Sequence, residues 1–345
     1  MEGTVSGPAF SDSPDFDDSI RAAAAHHGIL PALVLKDYWV TRVLRAIAMD
    51  PRLEGRALFK GGTSLSKGWH LIDRFSEDID LLVTGPDWGA MPDKKSDRER
   101  QFRALRASIE AATPLRLPSQ DSLSLEEWNF HYFRGDKHCN LRYPLPERRV
   151  SADGAAVDWV LVESGYRGGV QPHSSRELKS LIAEFLETQP GSTEQFEPYR
   201  ADLAGFSMEL LRPERTFAEK LLAVHKDMAS GVDGARRVRT RHYYDVTQLF
   251  ARSEEVRESV RSGECAELIR DAAHVSNEHW GTQFPPTLDL SASPALDPDP
   301  EQVRILAAQY ESPLERALYF RAWVPFAAIL EEVLKIRNAL ALGGG

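Results

Sequence analysis

The chain has 345 residues, 42% hydrophobic and 27% charged, which reads as a globular protein able to bury a sizeable core in one large or two ordinary domains. Its formal net charge of −10 excludes a generally basic nucleic-acid binder, so any nucleic-acid substrate must meet a local basic surface. With two cysteines, Cys139 and Cys265, and no long uncharged apolar run, composition excludes a disulfide framework and a membrane span, and predicts a soluble protein of the reducing cytoplasm.

The opening residues, "MEGTVSGPAFSDSPDFDD", are acidic and lack a basic segment followed by an apolar run, so they read as a loose tail rather than a targeting signal. From Pro14 to Asp50 apolar residues recur at helical spacing ("ILPALVLKDYWVTRVLRAIAM"), predicting one or two amphipathic helices. Leu58 and Phe59 run into Gly61-Gly62, and "TSLSKGWHLI" continues as a helix opening on Thr63 or Ser64. "EDIDLLV" is a short strand closed by Gly85-Pro86.

A surface helix carrying Arg98, Arg100, Arg103 and Arg106 is expected over 97–112, followed by strands around "WNFHYF", "HCNLRYP" and "AVDWVLVES". That makes a mixed α/β domain ending near Gly165–Gly169. Beyond Gln171 the pattern turns mainly helical, in "SRELKSLIAEFLE", "PERTFAEKLLAVHKDM", "YYDVTQLFAR" and "ALYFRAWVPFAAILEEVLKI", interrupted by the loop "FPPTLDLSASPALDPDPEQ".

Asp78 and Asp80 stand two apart on their strand, so both carboxylates project to one face while Ile79 and Leu81 project to the other. Converging carboxylates call for a positive partner, and Mg²⁺ with its hard oxygen ligands is the usual one. Upstream, Gly61 and Gly62 permit close backbone approach, and the N–H groups opening the next helix suit phosphate. Phosphate and Mg²⁺ together suggest a nucleoside triphosphate. Each feature alone has a bland alternative: a Gly-Gly turn before a helix is common, and so are acids on a wet strand face.

Phe217, Lys220, Leu221, Val224 and Met228 share one helical stripe, so Lys220 projects along the inward side, where an ordinary snorkelling lysine is the alternative. Asp245 lies at the edge of an apolar helical face formed by His242, Val246, Leu249 and Phe250. The run "GARRVRTRHYYD", with Arg236, Arg237, Arg239, Arg241 and His242, is the one local basic candidate; its alternative is a solvated loop. His131, His138 and Cys139 lack a fourth ligand for zinc, and no HExxH, G-x-S-x-G or Walker A pattern occurs.

"GGTSLSK", "RFSEDIDL", "PERTFAEKLLAVH" and "RHYYDVTQL", in this order over roughly Val34 to Phe250, resemble the AbiEii/AbiGii toxin family of nucleotidyltransferases, which includes the MenT toxins of type IV-like toxin–antitoxin systems. The resemblance implies an α+β fold: a DNA-polymerase-β-like nucleotidyltransferase domain with a mixed sheet and helices, followed by a mainly helical carboxy-terminal domain. The segments would be a helical lead-in at 1–50, the nucleotidyltransferase core at 51–170 and a helical domain at 171–345 contributing Lys220 and Asp245. It also implies an NTP substrate, Mg²⁺ or Mn²⁺ as cofactor, and a cognate AbiEi-type antitoxin.

On that reading Gly61, Gly62, Thr63 and Ser64 hold the nucleotide phosphates, and Asp78 and Asp80 ligate the metal, with Asp80 the leading catalytic acid. A third acid comes from "AAVDWVLVES", where Asp158 and Glu163 fall on opposite faces and Glu163 is favoured. Lys220 resembles the lysine that contacts the incoming nucleotide's phosphates. Asp245 either orients Lys220 or acts as general base, the plainer alternative being an ion pair with Arg241 or Lys220; Arg74 and Ser76 support the site from behind. Asp80→Ala and Lys220→Ala are expected to abolish activity with little effect on stability.

The leading expectation is a toxin that transfers NMP to an RNA acceptor, the tRNA 3′ end, and so blocks translation. The alternatives are transfer to a protein or small molecule, which suits the overall acidity, and a non-catalytic NTP-binding regulator.

Overall fold

Helical spacing in the first fifty residues becomes two helices in this computed structural model, which describes residues 7–76, 78–146, 159–166, 168–286, 288–316, 318–320 and 323–343. Helix α1 (Phe16–His27) buries Phe16, Ile20, Ala23 and Ala24 at that spacing and stops at Gly28, whose φ of 69° suits a residue without a side chain. Helix α2 (Pro31–Ala48) opens on a proline at its first turn and is buried almost all round. Its buried polar residues therefore need partners. Asp37 accepts from Lys67 Nζ at 2.6 Å and from the Leu181 N–H at 2.7 Å. The Tyr38 hydroxyl donates to Asp202 at 2.6 Å, and the same carboxylate accepts from the Phe10 N–H at 2.9 Å and pairs with Arg42 at 3.1 Å.

In chain order there follow β1 (Ala57–Lys60), α3 (Gly61–Lys67), β2 (Asp78–Val83), α4 (Lys95–Ala112), α5 (Leu125–His131), β3 (Tyr132–Arg134), β4 (His138–Pro144), β5 (Trp159–Gly165) and β6 (His173–Leu178). Then come α6 (Leu181–Glu187), the short α7 (Ser192–Gln195) and α8 (Arg200–Leu203), and β7 (Phe206–Leu211). The strands form one mixed sheet in the order β3-β4-β5-β2-β1-β7-β6. Strand β2 runs antiparallel to β1 and parallel to β5, while β4 runs antiparallel to both β5 and β3.

Two sequence expectations are corrected here. Most of "WNFHYF" is helix α5, because Ser124 and Glu127 close a capping box: the Ser124 hydroxyl accepts from the Glu127 N–H and the Glu127 carboxylate from the Ser124 N–H. The aromatic residues suggested a strand, but the cap sets the local structure and leaves only Tyr132–Arg134 extended. The chain after Gln171, read as mainly helical, also supplies β6 and β7. Strand β7 alternates buried Phe206, Met208 and Leu210 with more open Ser207 and Glu209, a two-residue period hidden among helical neighbours.

The chain divides into two compact units, one of Met1–Gly68, Glu77–Tyr166 and Ser175–Leu210, the other of Trp69–Ser76, Arg167–Ser174 and Leu211–Gly345. The second unit holds α9 (Pro213–Met228), α10 (Gly231–Ala235), α11 (Arg241–Arg252), α12 (Glu254–Arg261), α13 (Glu264–Trp280), α14 (Pro300–Tyr310), α15 (Pro313–Arg316) and α16 (Phe326–Gly343). Its short segment at 69–76 is fixed by backbone bonds, Phe75 N–H to Leu318 O at 2.7 Å and Phe320 N–H to Asp73 O at 2.9 Å. The described residues of the proline-rich loop at 284–301 are packed. Leu290, Ala295 and Leu296 are buried, and Phe284 and Leu288 pack on Leu222, Ala272 and Ala273.

Candidate active site

Strand β2 places its acids as alternation demands: Ile79 and Leu81 are buried, while Asp78 and Asp80 lie on the opposite, more open face. The register then brings in a third acid. Asp80 sits beside Lys60 on β1 and beside Glu163 on β5, and Glu163 sits beside Asn140 on β4. Partners in register share a face, so Lys60, Asp80, Glu163 and Asn140 form one row, with Asp78, Leu161 and Arg142 in the next. Asn140 Nδ2 approaches Glu163 Oε1 at 3.4 Å. Asp158 lies outside the described residues.

Helix α3 begins directly at the end of β1, beside the acids. Gly61 takes φ 79°, and a side-chain carbon there would collide with the Asp80 carboxylate. The glycine is thus required twice, by its backbone angle and by the acid lying against it. Thr63 and Ser64 are buried; the Thr63 hydroxyl donates to the Asp78 carbonyl, tying α3 to β2, and the Ser64 hydroxyl donates to the Gly61 carbonyl at 2.9 Å.

In the second unit, Asp245 on α11 is fully buried and accepts from Arg74 twice, Nε to Oδ1 at 2.7 Å and Nη2 to Oδ2 at 2.6 Å. Lys220 on α9 reaches the same carboxylate at 2.7 Å. Burial alone would raise the Asp245 pKa, but Arg74 and then Lys220 outweigh it and hold the carboxyl well below the usual carboxylate range. His242, also on α11, is lowered as well, which for a base disfavours the charged form: burial first, then the nearby Lys220, drives its pKa well below the ordinary histidine value, so it stays neutral.

A family model described as "Nucleotidyl transferase AbiEii toxin, Type IV TA system" matches residues 42–332. The chain belongs to this family. No curated protein matches it. As an AbiEii protein it is a nucleotidyltransferase enzyme and a toxin of the toxin–antitoxin type, which brings an NTP substrate and an antitoxin partner with it. The mixed sheet with its flanking helices is consistent with the nucleotidyltransferase fold.

Whether the acids of this AbiEii chain suit a divalent ion is a question of donor chemistry. Asp78 and Asp80 offer two hard carboxylates from one strand face, which fits Mg²⁺, since that ion typically takes one or two carboxylates and completes its shell with water and substrate phosphate. Among the described residues no group of three or more His, Cys, Asp and Glu side chains is placed to hold a metal ion. Among the described residues, no helix is long and apolar enough to cross a membrane.

Sequence reasoning missed Lys60, Asn140 and Arg142 beside the acids. The alternation of "HCNLRYP", with Cys139, Leu141 and Tyr143 buried, is the signal that puts Asn140 and Arg142 on one open face. The basic run resolves unevenly: Arg236, Arg237 and Arg239 are exposed, whereas His242 is partly buried beside the ion pair and, held neutral, adds no charge to that surface.

Proposed function

We propose that this protein is a magnesium-dependent nucleotidyltransferase toxin that transfers an NMP from an NTP to an RNA acceptor, the 3′ end of tRNA, and so blocks translation in the cytoplasm. The observation that carries the reading is the shared open face of Asp78, Asp80 and Glu163, set beside the glycine start of α3. Asp78 and Asp80 would hold Mg²⁺ or Mn²⁺, with Glu163 as the third acid; the ion supplies charge neutralisation where the triphosphate reacts.

The chain's own residues do the rest. The N–H groups of Gly61, Gly62, Thr63 and Ser64 open α3 without partners inside the helix and are the proposed phosphate donors. The Thr63 and Ser64 hydroxyl protons are committed to carbonyls, so these two side chains shape the turn instead. Lys220 is the proposed cation for the nucleotide's phosphates. Asp245 is a positioning residue: held ionised by two cations, it is a weak base and serves to fix the Lys220 ammonium.

The test is incubation of purified protein with Mg²⁺, bulk tRNA and each α-labelled NTP in turn, with Asp80→Ala as control. Label is expected in tRNA with the wild type and not with the variant. Label in protein or a small molecule and none in tRNA overturns the RNA acceptor.

A further inference from the structure

The face that carries the acids continues outward to the edge of the sheet. Beyond Glu163 the register runs to Asn140 on β4 and from Asn140 to Phe133 on β3, so one row of side chains, Lys60, Asp80, Glu163, Asn140 and Phe133, crosses five strands. Phe133 is 42% exposed and Phe130, one turn back at the end of α5, is 47% exposed. These two rings belong to no core, since the buried residues of β4 are on its other face, and they flank the same stretch of β4, where exposed apolar groups gathered together mark a contact surface.

One cation lies among the rings. The Arg142 guanidinium lies 3.9 Å from the Phe130 ring centroid and 5.5 Å from that of Trp159, while the Phe133 and His138 rings lie 5.1 Å apart at a 32° tilt. Arg142 belongs to the row of Asp78, and electrostatically it feels both Asp78 and Glu163. Its Nη1 donates to the Phe130 carbonyl, which fixes the guanidinium against that ring.

Exposed π faces beside a fixed guanidinium are what unpaired bases and their phosphates recognise: bases stack on the rings and the positive charge favours the backbone. A duplex offers no such faces, because its bases are already stacked. We propose that Phe130, Phe133, His138 and Arg142 form a ledge on which the unpaired terminal nucleotides of an RNA acceptor stack, delivering the 3′ hydroxyl along the sheet face toward the acids. The proposal rests on the RNA-acceptor reading above and assigns to it a surface that works by stacking, which suits a protein of net charge −10.

The test uses the full chain and a short single-stranded oligoribonucleotide ending in CCA, labelled with fluorescein at its 5′ end and followed by anisotropy, with the same strand annealed into a blunt duplex as comparison. Phe130→Ala with Phe133→Ala is expected to weaken binding of the single strand about tenfold or more, with NTP binding unchanged. Phe133→Trp, which keeps a ring, is expected to retain it, and the duplex to bind the wild type more weakly than the single strand. Equal binding of the single strand by wild type and double variant, or no binding by either, overturns the ledge. Should the double variant fail to fold, Phe133→Leu against Phe133→Trp decides the same point. The two readings fail separately. Ring-dependent binding without nucleotide transfer to RNA removes the proposed activity and leaves the ledge; transfer to RNA that is indifferent to both rings removes the ledge. Loss of neutralisation by the antitoxin with RNA binding intact assigns the rings to that partner and also overturns the proposal.

Discussion

Arg74 and Asp245, 171 residues apart in the chain, meet in a two-point ion pair at 2.7 and 2.6 Å with both side chains almost completely buried. Taking one partner from such a pair leaves a buried charge uncompensated, which costs about 3–5 kcal/mol. Asp245→Ala leaves two cations so exposed to that penalty, Arg74 and Lys220, and is expected at the upper end of the range. Chemical denaturation of Asp245→Ala, Arg74→Ala and the double variant measures it, with the double variant less destabilised than the sum of the singles.

Lys220→Ala departs from the sequence-based expectation that its removal leaves stability nearly unchanged. The lysine is 8% exposed and bonded to a buried carboxylate, so its loss is expected to cost about 1–3 kcal/mol, less than loss of Asp245 because Arg74 still satisfies the acid. Asp80→Ala, on the open strand face, is expected to abolish transfer with little change in melting temperature. Thermal melts of the two variants run side by side separate the cases: equal melting temperatures would contradict the buried role of Lys220.

The pair also sets a pH dependence. Asp245 has a folded pKa below its unfolded one, so its contribution is present above the unfolded value and is lost as pH falls below about 4. His242 acts earlier. Its folded pKa is also lowered, but as a base, so the unfolded chain binds the proton more readily once pH drops below about 6.5. Stability is therefore expected to fall from neutral pH downward, and His242→Gln should flatten the segment between about pH 5 and 6.5 in denaturation series. An unchanged slope in the variant would show that other groups carry it.

Gly61 and Gly191 share a φ of 79°, but only Gly61 has another group against it. Alanine at Gly191 meets nothing within 4 Å and is expected to cost only the backbone strain, about 1 kcal/mol. Alanine at Gly61 must in addition push the Asp80 carboxylate aside, so its stability loss is expected to be larger and transfer activity to fall by orders of magnitude. Assay and melt of the two variants together isolate the contact from the strain.

Local pattern carried the core of the reading. The acid and apolar alternation of β2, the glycine start of α3 and the inward stripe of α9 are visible in the sequence because each depends on residues a few positions apart. Helix α5 was misread where "SLEE" already held the capping signal, and β7 was missed because its alternation is short. What no local pattern could supply is register. That Glu163 stands beside Asp80, and Phe133 beside Asn140, is decided by pairings between distant segments, and Asp245 pairs with Arg74 as well as with the Lys220 that the sequence offered.

The second unit is assembled from pieces at 69–76, 167–174 and 211–345. During synthesis its earliest piece leaves the ribosome long before the last, and Arg74 waits for about half of the chain's length, 171 residues, before its counter-charge exists. A nascent or prematurely terminated product that stops short of Asp245 lacks the carboxylate that fixes Lys220. For an enzyme proposed to disable translation, the order of synthesis thus keeps the ammonium that would meet the nucleotide unfixed until well into the second half of the chain.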